Sequence, residues 1–153
     1  MPEKYFAKYT GIVRDNRDPQ SLGQLRVSVP SIFPADELMT ARAALPFGIF
    51  FVPENGSKVW VEFEGGNPGL PLWTGVQYVA GEWAPEAAVS PPERRVIKTA
   101  AGHALSFVDA AGQERLEMAS PTYIRIVSSG TVEIDAPNVI INGRLVAPQP
   151  RPI

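Results

Sequence analysis

The stretches DPQSLGQLRVSVP, residues 18–30, and KVWVEFEGGNPGLPLWTG, residues 58–75, decide the fold of this chain. Each holds a run with a period-two apolar face. Leu25, Val27 and Val29 point one way while Arg26 and Ser28 point the other; Val59, Val61 and Phe63 oppose Trp60, Glu62 and Glu64. Both runs therefore read as half-buried strands. Asp18-Pro19 and Asn67-Pro68-Gly69 are turn sequences, and Gly65-Gly66 ends a strand by removing the side chains that would continue it. Short strands with tight turns predict an all-β barrel or sandwich.

Composition narrows what such a barrel does. The chain has 153 residues and a formal net charge of −2. Residues 1–90 carry 7 Lys+Arg against 10 Asp+Glu, and the remainder carries 7 against 6, so neither part concentrates the positive charge that a polyanion partner requires. Cysteine is absent, which rules out disulfides and thiolate metal sites. Residues 1–8 are polar and charged, unlike a secretory signal, and no apolar run approaches the ~18 residues of a membrane-spanning helix. Residues 36–44 are read as a short helix limited by Pro34 and Pro46.

Residues 9–78 resemble the OB-fold domain of phage baseplate assembly protein V, the contractile-tail central spike, and the valine-glycine repeat protein G spike of type VI secretion. The resemblance is carried by Gly11 and Val13, Asp18-Pro19, residues 23–27 with Val29-Pro30, Leu45-Pro46, Pro53 with Gly56, and residues 59–66 with Pro68, Pro71, Trp73 and Gly75. The fold expected is thus all-β, an N-terminal OB-fold barrel followed by an intertwined trimeric β-helix stem. The organisation expected is a collar domain over 1–80, a linker over 81–95 containing Pro85, Pro91 and Pro92, a stem over 96–146 and a proline-rich tail over 147–153.

The stem is read from a change of pattern. Apolar segments recur at Val96-Ile97, 105–107, 116–118, 124–127, 132–134 and 139–141, separated by small and turn residues, which makes a loose repeat of short strands. Thin strands of this kind bury too little apolar surface to offset ordering costs of about 1–2 kcal/mol per residue. Partner chains supply the remedy, with Leu105, Leu116, Ile124 or Ile126, Ile134 and Ile141 filling a shared core in a homotrimer. Residues 99–118 resemble the start of the spike β-helix in the same family.

That resemblance implies a structural role without bond chemistry: a trimeric spike seated on a separate baseplate hub protein, puncturing a target-cell envelope when a sheath contracts. It implies a virion tail baseplate, or the equivalent part of a secretion or extracellular injection device, made in the bacterial cytoplasm. Trp60, Glu62 and Glu64 are the expected contacts with the hub or a neighbouring protomer. Val146, Pro148, Pro150, Pro152 and Ile153 are expected to cap the tip or to dock a tip protein of the proline-alanine-alanine-arginine repeat type.

Other chemistries are weighed against bland readings. His103 is the single histidine, a strand-flanking residue on the bland reading and a threefold metal ligand on the sharp one. Related short spikes bind iron through a His-x-His pair that this chain lacks, so no metal and no cofactor are expected. Glu62 and Glu64 lie two apart on one strand face, but glycoside hydrolysis needs carboxyls across a cleft. Trp60 and Trp73 suggest a stacking platform for an oligonucleotide, or the alternative of an oligosaccharide-binding OB module with a trimerising stem. Without a basic stripe, Trp73 is expected in the barrel core and no nucleic acid is expected as partner.

Overall fold

The computed structural model describes residues 3–146, which form two compact units parting between Ala88 and Val89. The first holds five strands: β1 (Tyr9–Asp15), β2 (Leu25–Ser28), β3 (Met39–Ala43), β4 (Lys58–Phe63) and β5 (Pro71–Val76). They close into a barrel in the order β1-β2-β3-β5-β4, antiparallel except for the β3–β5 pair. The alternation read from sequence is the alternation of burial except at Ser28, which is buried too and accepts a hydrogen bond from Arg14 Nε. Leu25, Val27, Val29, Val59, Val61, Phe63 and Trp73 are at most 5% exposed and fill the interior with Val13 and Ala41.

Two positions show why these residues close the sheet. Gly11 on β1 lies opposite Val59 on β4, and a Cβ there would stand 2.5 Å from Val61 Cγ2, so only glycine lets the two strands approach. Trp73, 1% exposed, satisfies its one polar group by donating from Nε1 to the Gly23 carbonyl at 2.9 Å, which ties β5 to the β1–β2 loop. At one end of the barrel the arm before β1 acts as a plug. Tyr5 donates its backbone N–H to Gly66 O at 2.9 Å, and its ring lies 5.3 Å from that of Phe33 and 5.7 Å from that of Phe63.

Residues 39–43 are strand β3 and not the helix suggested for 36–44. Met39 and Ala41 face the core side while Thr40 and Arg42 face out, and the strand is the only bridge between β2 and β5. Tertiary closure outweighs the weak helical preference of so short a run.

The second unit contains a three-stranded antiparallel sheet, β6 (Arg94–Lys98), β7 (Ala104–Val108) and β8 (Arg115–Ala119), and a hairpin of β9 (Val139–Ile141) and β10 (Arg144–Val146). Strand β6 starts at Arg94, inside the stretch read as linker. The hairpin turns on Asn142 and Gly143, with φ of 51° and 75°, the pair of positive values that a two-residue turn of this hand demands. Residues 124–127 and 132–134, read as strands, form none here: residues 121–138 are exposed, with bends at 121–122, 129–130 and 137, and have no ladder partner among the described residues. Among the described residues the open edges of the β6–β8 sheet do not take these segments up.

Replacing Trp73 with alanine should cost about 3–5 kcal/mol through the cavity and the orphaned Gly23 carbonyl. Urea unfolding followed by circular dichroism measures it; a loss under about 1 kcal/mol would place the barrel's stability elsewhere.

Candidate functional site

The surfaces that function can use follow from which faces the sheets leave open. On the barrel, Trp60 is half-buried on the outer side of β4 between Thr10 of β1 and Gly75 of β5. Glu62 pairs with Lys8, and Glu64 belongs to the 3₁₀ turn Glu64–Gly66, where it pairs with Arg42 of β3. The two carboxylates therefore do not share a strand face as the sequence suggested. Gly65, with φ of 59°, turns the chain away at once. Each carboxylate has its own cation, and no cleft lies between them that would make them an acid–base pair.

The face that OB barrels commonly offer to ligands is the outer side of β2 and β3 with the β1–β2 loop. Here it is a groove of about 300 Å³ lined by Arg17, Asp18, Gln20, Gln24, Arg26 and Thr40. None of these is a ring on which a base stacks. One of its two cations is engaged as well, Arg17 pairing with Asp15 at 2.9 Å. The Arg17 guanidinium holds the Asp15 carboxyl down at about 2.

Asp18 organises the loop. Its carboxylate accepts backbone N–H bonds from Gln20 at 3.0 Å, Leu22 at 2.7 Å and Gln24 at 3.0 Å, so the turn that Asp18-Pro19 signals is held by one side chain. Those donors, Gln24 first, lower the Asp18 pKa.

In the second unit the register divides the sheet into unlike faces. Arg94, Glu117 and Arg115 share one face, where Glu117 bridges to both arginines and its pKa is lowered, chiefly by Arg115. Beneath that cover Ser106 and Val108 are buried. The other face places Leu105 opposite Ile97 and Met118, and Phe107 opposite Leu116. On this face Ile97, Phe107, Leu116 and Met118 remain between 43% and 61% exposed. Of the residues expected in a stem core, Leu105 and Leu116 thus lie on one sheet face. Ile124, Ile126 and Ile134 lie in the 121–138 segment, and Ile141 in the hairpin, all exposed. Ile97, Phe107 and Met118 complete the face and were missed, although their two-residue spacing from neighbouring apolar residues was the available signal.

His103 sits in the turn between β6 and β7, with Nδ1 3.0 Å from Ser120 Oγ. Among the described residues no three His, Asp or Glu side chains gather as a metal would require. Val146 is the last described residue, on β10; Pro148, Pro150, Pro152 and Ile153 lie outside the described residues.

A closed five-stranded barrel of this strand order is an OB fold. Residues 9–78 match the family model described as the type VI secretion system/phage-baseplate injector OB domain, and the first unit is an injector OB domain of that family. No curated protein matches the chain.

Folding holds the Asp18 carboxyl below its unfolded value, so its contribution is full above the ordinary carboxylate range and is lost as pH falls through the folded pKa. Asp18→Ala should lower the barrel's melting temperature at pH 7, and the gap from the wild type should close as pH drops through that window. A gap that is constant with pH would show that the charge on Asp18 is irrelevant.

Proposed function

We propose that this chain is the central spike of a contractile injection machine, a homotrimer whose barrels form a collar on a baseplate hub and whose second units form a stem. The family supports a structural role in the baseplate. What carries the trimer is the contrast between the units. The barrel encloses its apolar residues within one chain, whereas the sheet of the second unit presents Ile97, Leu105, Phe107, Leu116 and Met118 on one open face. Three copies turning these faces to a common axis bury them, and the unpaired 121–138 segments gain neighbouring edges.

The work of such a part is mechanical. Sheath contraction drives it, and the stem contributes stiffness because interlocked strands cannot unfold one subunit at a time. In this reading the stem punctures the target envelope, and residues 147–153 cap the tip or seat a separate tip protein. The chain resides in a tail baseplate or the equivalent device. Trp60, with the Lys8–Glu62 and Arg42–Glu64 pairs around it, is the barrel's contact with the hub or a neighbouring protomer.

Light scattering coupled to size-exclusion chromatography, with sedimentation velocity, should give a trimer of high frictional ratio. Leu116→Arg places a charge on the open face and should give a monomer with an intact barrel, read by the near-ultraviolet signal of Trp73. A compact wild-type monomer would overturn the reading.

A further inference from the structure

We infer that the loop joining β3 to β4 is the surface through which one barrel meets the barrel of a second copy of this chain, an inference that rests on the trimer proposed above. Residues 43–53, AALPFGIFFVP, contain no charged side chain. Phe47, Ile49, Phe50 and Phe51 are all exposed, and so is Leu22 on the adjoining β1–β2 loop.

The loop is held in shape. The Phe50 ring lies over Gly23, 3.1 Å from where a Cβ would stand; Ile49 donates its N–H to Pro46 O at 3.2 Å; Asn16 Nδ2 donates to Pro53 O at 3.1 Å. A surface fixed beforehand loses little freedom when it is covered.

Area and chemistry select the partner. Taking ~150–250 Å² for a whole aromatic side chain, the five exposed residues present on the order of 500–600 Å² of apolar surface. That is at the upper limit for a lone monomer and most of the ~800 Å² that each side of a stable interface buries. A charge-free apolar centre marks contacts between like subunits more than encounters between separately soluble proteins.

Topology adds a second reason. Strands β1, β3 and β5 end, and β2 and β4 begin, at the same end of the barrel, as the pairings Asp15↔Arg26, Ala43↔Trp73 and Val59↔Val76 require. The apolar loop therefore lies at the end of the barrel where β5 finishes, opposite the end closed by Tyr5, Phe33 and Phe63. Copies joined through their second units hold these loops at an effective concentration of order millimolar.

Because the chain contains no cysteine, Phe47→Cys and Ser31→Cys each supply a single thiol, the first on the loop and the second at the opposite barrel end. Maleimide labelling of each full-length variant, with its mass measured in parallel, gives the test. A trimer in which the residue-47 thiol reacts an order of magnitude more slowly than the residue-31 thiol, with the difference abolished by adding Leu116→Arg, supports the inference. Equal rates in a confirmed trimer overturn it while leaving the trimer intact, and assign the loop to another protein of the machine. Slow labelling that persists in the Leu116→Arg monomer also overturns it, because the cover then comes from the same chain. A wild-type monomer removes both the trimer and this contact.

Discussion

Every strand must find a hydrogen-bonding partner for each edge and cover for its apolar face, and the rest of this structure depends on how the two units meet that constraint. The first sheet meets it by closing on itself. β1 pairs with both β2 and β4, and the parallel β3–β5 seam leaves no free edge in the cycle. The enclosed apolar faces then need only a stopper at each end. Tyr5 and Phe33 supply one, and the Asp18 loop locked to Trp73 through Gly23 supplies the other. In the second unit the β6–β8 sheet keeps two edges and one largely apolar face open among the described residues.

The charges follow the same division. On the barrel wall the ion pairs Lys8–Glu62 and Arg42–Glu64 sit at the surface and contribute little to stability, typically under ~1 kcal/mol each. Their effect is to set a cation beside each of Glu62 and Glu64. In the second unit the Arg94–Glu117–Arg115 group covers one face, while the other, largely apolar face carries Arg95 opposite Phe107, in an exposed ion pair with Asp109.

Much of the barrel was legible because its strands are half-buried and alternate: Leu25, Val27, Val29, Val59, Val61 and Phe63 are buried as read, while Ser28, read on the opposite side, is buried as well and accepts a hydrogen bond from Arg14. Strand β3 was not, since five residues with two alanines carry little pattern and the need to bridge β2 to β5 is invisible locally. The plug was missed because Tyr5 lies before the strand that it caps. The Asn142-Gly143 hairpin was a legible turn that went unread, obscured by apolar residues on both its faces. Apolar spacing located the β6–β8 strands, but Ile97, Phe107 and Met118 acquire a common face only through register, which depends on where the turns at 99–103 and 109–114 fall. The exposed phenylalanines of the β3–β4 loop looked like any strand approach, because sequence does not say which apolar residues remain uncovered.

Closure within residues 9–76 also fixes an order of events in time. The contacts that shut the barrel join residues 5–76 to one another, so its closure does not wait on the strands of the second unit. In the trimer proposed above, cover for the open sheet then arrives by collision between copies, so that the slow step of maturation is second order or higher in protein and its rate is set by how many finished barrels the cell holds at once.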